Sequence, residues 1–293
     1  MKDLIIGTIT NYNIGQLAPW VESLKQSGFT GDKYMVCYNI SYETISYLQS
    51  HNFVLCVFDN IPTRQMYGYN FPQNFHVCVH RFLHMWLFLN KLTDEEKSQY
   101  RYIISTDVGD VIFQSNPSTW LDNNLQGTKY EINAATESIK YKDETLWGAN
   151  NMTQSFGNDV FEHIKDQLIY NAGTISGKFQ TILDLFIVIY NMCQGFKTAN
   201  PDQAAYNLLL SLEPYKSLTK FNMSEDGWAA QLGTTMSKTA LEYIGKNIVE
   251  ALPIIDTENK IICTSTGKPF VIVHQYNRMP HLVQMMNDKY TIS

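Results

Sequence analysis

The chain has 293 residues, 44% of them hydrophobic and 13% aromatic, which is enough apolar content to bury a sizeable core and excludes a disordered or low-complexity protein. Its 22 Lys and Arg stand against 28 Asp and Glu, and the net charge of −6 excludes the broad basic footprint that a nucleic-acid partner requires. Any anionic ligand has to be met locally.

The first apolar stretch, Leu4-Ile5-Ile6, is too short for the core of a secretory signal. The best membrane candidate, 182–192, contains Asp184 and falls well short of about 20 apolar residues, so no span is expected. Five scattered cysteines with no CxxC pair (Cys37, Cys56, Cys78, Cys193, Cys263) suit reduced core thiols, and the expected location is cytoplasmic.

The first half alternates strand and helix signals. A buried strand at 3–9 leads through the turn 10–15 into an amphipathic helix at 16–27, closed by Gly28. A strand at 33–38, a helix at 42–50 and a strand at 53–58 complete a βαβαβ start, which implies a parallel sheet with right-handed crossovers. The stretch 59–73, with Pro62, Gly68 and Pro72, reads as a long irregular loop of the kind that often serves function. A helix at 74–92 follows, and Thr93-Asp94-Glu95-Glu96 has the composition of a helix N-terminus. A further strand at 102–105 ends in Thr106-Asp107-Val108-Gly109-Asp110, before a β-rich run at 111–113. Open α/β sheets bind ligands at the carboxyl ends of their parallel strands, which places the expected active site at this acidic turn.

The second half is less regular. It has a strand at 130–135, a polar region at 136–151, and helices at 159–166, 179–193 and 201–212, with strand signals at 218–221, 248–252 and 270–273. No linker, charge block or repeat divides the chain.

Asp107 and Asp110 put two carboxylates on one turn, with Gly109 permitting close backbone approach, a hard oxygen site suited to Mg²⁺ or Mn²⁺. The plain alternative is a solvated turn that ends a strand. His274 stands at the end of the apolar strand, close to Arg278, where it is either a ligand or a packed histidine. His76, His80 and His84 recur every four residues, but helical rise separates the outer pair by about 12 Å, so a packed or exposed face is the expectation. Gly173 and Gly177 let the backbone approach a ligand or form plain turns. Asp202-Gln203 either caps a helix or offers a carboxylate and an amide to a sugar. Glu225-Asp226-Gly227-Trp228 places acids beside an aromatic, either for sugar binding or as another helix start.

Taken in order, these segments resemble the GT-A-fold glycosyltransferases, and within them the glycogenin-like, family 8 group. The stretch from Pro19-Trp20-Val21-Glu22 to Tyr38 is similar to the first βαβ unit of that fold, and Arg81-Phe82 to the arginine preceding the acidic motif. The segment 106–114 resembles the DxD segment, although here it reads Asp-x-x-Asp, which leaves open how Asp107 and Asp110 divide metal and ribose contacts. Tyr170-Asn171-Ala172-Gly173 resembles the Asn-Ala/Ser-Gly stretch, Asp202-Gln203 with Asn207 the DQ…N helix, and His274 the late histidine of the metal site.

The resemblance implies an α/β fold of the GT-A type: one domain, with a nucleotide-sugar half (1–115) and an acceptor half (116–293) around a mostly parallel sheet. It implies a hexosyl- or pentosyltransferase moving sugar from a UDP-sugar to a glycan, glycoprotein or other hydroxyl acceptor. Mn²⁺ or Mg²⁺ would be held by Asp107, Asp110 and His274, and the nucleoside would lie near Thr8, Thr10, Asn11 and Tyr12. Arg81 would orient the acidic turn or meet phosphate, Arg278 would meet phosphate, and the sugar would lie between Gly173 and Asp202-Gln203. Retention of anomeric configuration is favoured; an inverting enzyme would need a base, with Asp202 or Asp226 as the choices. Two other classes stay open: a sugar-phosphate nucleotidyltransferase, which lacks its expected Gly-rich phosphate loop here, and a non-catalytic glycan-binding protein of the same fold.

Overall fold

The computed structural model of the chain describes residues 1–58, 77–195 and 200–290, together with the backbone of 65–66 and 69–70. Most of the loop expected at 59–73 therefore lies outside the described residues, as does His76.

In chain order the strands are β1 (Lys2–Thr10), β2 (Asp32–Tyr38), β3 (Phe53–Phe58), β4 (Gln65–Met66), β5 (Tyr69–Asn70), β6 (Tyr100–Thr106), β7 (Val111–Phe113), β8 (Ile132–Lys140), β9 (Leu168–Tyr170), β10 (Thr174–Lys178), β11 (Thr219–Asn222), β12 (Ala229–Gln231), β13 (Ile254–Asp256), β14 (Ile261–Cys263) and β15 (Ile272–His274). Among the described residues the central sheet runs β11-β8-β10-β6-β1-β2-β3, with β9 paired to β8. The β6-β1-β2-β3 half is parallel, as the alternating strand and helix signals require, and β10 enters antiparallel to both β6 and β8. A small second sheet, β12-β15-β7, stands beside it.

Side-chain alternation along the parallel strands feeds two cores. Leu4, Ile6, Tyr34 and Val36 face one side, where Phe82, Met85 and Phe186 of the Val77–Asn90 and Phe179–Met192 helices cover them. Ile5, Ile9, Met35 and Cys37 face the other, against Trp20 and Leu24 of the Ile14–Gln26 helix and Leu121 of the Pro117–Leu125 helix. A third cluster joins the small sheet to the C-terminal Pro280–Lys289 helix through Ile112, Phe270, Val273, Leu282 and Met286.

Local chemistry explains the element boundaries. Asn13 accepts from the Gln16 amide at 3.1 Å and the Gln16 side chain accepts from the Asn13 amide at 3.0 Å, a capping box that starts the first helix two residues earlier than expected. The strand expected at 248–252 does not form: Val249 makes one backbone bond to Ser138, but no ladder is available there, and pairing begins instead at Ile254 with β14. The Gly148–Phe156 helix was not legible because its buried stripe is Met152 with the polar Asn151 and Ser155. The described cysteines are all free, and no described helix is long and apolar enough to cross a membrane.

Candidate functional site

Two ladders bring the acidic turn and His274 together. The turn 107–110 leaves the carboxyl end of β6, and the chain continues directly into β7, which pairs antiparallel with β15 in a register that sets His274 opposite Val111. The amide of Gln275 donates to the Asp110 carbonyl at 2.8 Å, fixing the join. His274 Nε2 then lies 3.5 Å from Asp107 Oδ2 and 3.6 Å from Asp110 Oδ1. One ligand atom from each of the three residues falls within 4.8 Å of the others, so the set is compact enough for one ion. Two carboxylates and an imidazole are donors that suit Mn²⁺ or Mg²⁺.

The imidazole is oriented from behind. Gln231 lies beside His274 in the parallel β12–β15 ladder; its Oε1 meets His274 Nδ1 at 2.7 Å, and its Nε2 donates to Thr174 Oγ1 at 3.0 Å. An amide that donates to Thr174 offers its oxygen to the ring, so Nδ1 carries the proton and the Nε2 lone pair faces the carboxylates. His274 is buried; burial disfavours its charged form, but Asp110 and Asp107 outweigh that and the net shift is upward. Burial raises Asp107, yet Arg81 and His274 more than reverse this and hold it well below the usual carboxylate range. Asp110 is shifted up, chiefly by burial, with His274 opposing and Asp107 adding to it.

Gly173 completes this corner. Its carbonyl accepts from the Asp107 amide at 2.9 Å, and a Cβ built there would lie 2.5 Å from His274 Cε1 and 2.7 Å from Asp107 Oδ2. A side chain at this position would push His274 and Asp107 apart, so glycine keeps the corner open. Arg81, from the Val77–Asn90 helix, bridges Asp107 Oδ1 and Asp202 Oδ2, the latter at 3.1 Å, so Asp107 keeps its second oxygen for the triad. Burial raises Asp202, and Arg81 offsets part of that shift.

Two cavities, of about 510 and 690 Å³, meet at Cys78, Arg81 and Asp107. Thr8, Thr10, Tyr12 and Asp110 line the first, and Gly173, Asp202, Gln203, His274 and Arg278 the second. Residues from both sides of the 115/116 boundary line each cavity: Tyr276, Asn277 and Asn287 close the first, and Cys78, Arg81 and Asp107 reach the second. Thr8 Oγ1 is buried with no hydrogen-bond partner among the described residues, a polar atom left for a ligand. Two expected residues stand apart. Asn11 lines neither cavity; its backbone (φ 55°) binds the Tyr38 carbonyl. Asp226 also lines neither; its carboxylate accepts from the Met223 amide at 2.8 Å in a short turn, and neighbouring Trp228 is packed against Trp120. His80 and His84 are buried in the core face of their helix.

Glu137 is the site residue the sequence reading missed. The β8–β9 register shifts between Thr136 and Lys140, and Ser138 sits at φ 62°, so the expected polar stretch is a bulged strand that aims Glu137 into the larger cavity. Its Oε1 accepts from Asn171 at 2.7 Å and from Gln203 at 2.9 Å, and its Oε2 from Thr234 at 3.0 Å. Burial pushes this carboxyl above the ordinary range in spite of those bonds. The signal available in the sequence was a lone Glu in the otherwise uncharged run 132–139.

The fold is that of the GT-A glycosyltransferases. Among solved structures, the galactosyltransferase LgtC, solved with donor and acceptor sugar analogues, aligns at a TM-score of 0.55 and 10% identity over 99% of this chain and 97% of that one. An active-site mutant of LgtC aligns at 0.54 and 10% identity, over 99% of this chain and 97% of that one. The apo bifunctional glycosyltransferase WbbM aligns at 0.53 and 12% identity over all of this chain but 52% of that one, so this chain spans about half of WbbM. No family model and no curated protein sequence matches the chain.

Proposed function

We propose that the protein is a metal-dependent glycosyltransferase that moves a hexosyl or pentosyl group from a UDP-sugar to a hydroxyl of a glycan or glycoprotein. The observation that carries this reading is the position of the Asp107, Asp110 and His274 triad where two cavities join, one suited to a nucleotide and one to sugars. The triad would hold Mn²⁺ or Mg²⁺, which when bound supplies a Lewis acid for the charge on the departing diphosphate.

The remaining work falls to the protein's own side chains. Thr8, Thr10 and Tyr12 receive the nucleoside, with the unpartnered Thr8 hydroxyl as one hydrogen-bond donor. Arg278, exposed on the rim of the second cavity, adds positive charge toward the diphosphate. Asp202, Gln203 and Glu137 hold the transferred sugar's hydroxyls. In the transfer the bond from the anomeric carbon to the diphosphate oxygen breaks and the acceptor oxygen bonds to that carbon. With retention, the acceptor's proton passes to the departing diphosphate. Both halves of the chain, 1–115 and 116–293, contribute to each cavity, and the protein works in the cytoplasm, in keeping with the free cysteines among its described residues.

A screen of nucleotide sugars for Mn²⁺-dependent hydrolysis, followed by NMR of the transfer product, tests this function. One UDP-sugar should be turned over with its anomeric configuration kept. An inverted product overturns retention. Turnover of no nucleotide sugar, or synthesis of one from a nucleoside triphosphate and a sugar phosphate, overturns the function.

A further inference from the structure

We propose that Trp147 is the platform on which the acceptor stacks, and that the acceptor is a pyranoside presenting an apolar ring face. The inference rests on the reading of the larger cavity as the sugar-transfer chamber. The chain has five tryptophans; Trp20, Trp120 and Trp228 are buried and Trp86 packs against the core, whereas Trp147 is 42% exposed, next to Leu146 at 42%. Leu146 and Trp147 line the 690 Å³ cavity together with Asp202, Gln203 and Glu137.

The backbone that carries the platform is fixed in place. Glu144 Oε2 accepts from the Trp147 amide at 3.0 Å and also from the Gly148 amide, and the Trp147 carbonyl accepts from the Asn151 amide at 2.8 Å as the Gly148–Phe156 helix begins. Asn151 in turn donates to the Asn200 carbonyl at 3.0 Å. Gly148 leaves room at this corner for the Glu144 carboxylate: a Cβ there would lie 2.8 Å from Glu144 Oε2 and 2.9 Å from Ile169 Cδ1, and both side-chain ends would have to shift. With the backbone at this position already fixed, only the indole's own torsions are left to order when a ligand arrives.

The chemistry of the cavity selects the ligand. An exposed aromatic and an aliphatic side chain share it with a carboxylate pair, an amide and the Thr234 hydroxyl. A pyranose matches both: its axial C–H groups form an apolar face for the indole, and its equatorial hydroxyls donate to carboxylates. An open-chain polyol has the hydroxyls without the face.

Saturation-transfer NMR and tryptophan fluorescence, with UDP and Mn²⁺ present, test the assignment using methyl β-glucopyranoside and methyl β-galactopyranoside as probes and sorbitol as the open-chain control. At least one pyranoside should bind and shift the fluorescence, while sorbitol should not. Trp147→Ala should weaken pyranoside binding about tenfold and leave UDP affinity unchanged. Trp147→Phe should keep the binding and lose the fluorescence shift. Equal pyranoside binding in the parent and Trp147→Ala, no pyranoside binding to the parent, binding by sorbitol of equal strength, or an equal loss of UDP affinity in Trp147→Ala would each overturn it. The UDP titration of the parent separately reports failure of the donor-site reading.

Discussion

Gln231 shows how much of a candidate metal site lies behind the residues that face it. It lines neither of the two cavities, yet its amide donates to Thr174 on one side and meets His274 on the other, and that pairing helps set which imidazole nitrogen faces Asp107 and Asp110. Gln231→Leu keeps similar volume at a buried position and removes both bonds. Its Mn²⁺ affinity, measured by titration followed by electron paramagnetic resonance, should fall about 10- to 100-fold. Affinity equal to the parent's would mean that the ring is oriented by its packing and that Gln231 is dispensable. At this scale the three residues of the candidate triad were legible as candidates: two acids on a turn at a strand end, and a histidine ending an apolar strand, carry their chemistry in local sequence. Gln231 was not, because its role depends on a parallel ladder between segments 43 residues apart.

At the scale of the element, the bulge in β8 decides what the larger cavity contains. Without the register shift after Thr136, Glu137 would have the facing of a regular strand residue; with it, the carboxylate gathers Asn171, Gln203 and Thr234. A buried carboxylate whose folded pKa lies above its unfolded value of about 4.3 contributes stability below that value and loses it as pH rises through the folded pKa. Above that value the buried Glu137 carboxyl therefore costs stability. Glu137→Gln should melt higher than the parent at pH 7, by a margin that shrinks as the pH is lowered toward 4, and should lower kcat for transfer. A variant that melts lower at pH 7, or that transfers at the parental rate, contradicts this role. β1 and β2 were legible as short apolar runs buried on both faces, and the Phe179–Met192 helix by its long apolar stretch with buried residues at helical spacing. The bulge, the Gly148–Phe156 helix and the pairing of β13 with β14 were not, since polar burial and partner choice leave no such period.

For the whole molecule, charge is the organising constraint. A chain of net charge −6 concentrates Asp107, Asp110, Asp202 and Glu137 around two adjoining cavities, and among them Arg81 is committed to Asp107 and Asp202. An unaided acidic cleft would repel a diphosphate; the same cleft with a divalent ion on the triad would attract it. The early βαβαβ run made the parallel half of the sheet legible, and the expected acidic turn lies at the edge of both cavities. The closing of the smaller cavity by Tyr276, Asn277 and Asn287 was not legible, because it depends on the C-terminal segment folding back across the molecule. The central claim is that UDP and a divalent ion bind there as a linked pair. Calorimetric titration of UDP, with and without Mn²⁺, into the parent and Asp110→Ala tests it most directly. Mn²⁺ should strengthen UDP binding to the parent, and that gain should vanish in Asp110→Ala. Binding that is indifferent to Mn²⁺, or a gain that survives in Asp110→Ala, would contradict the account.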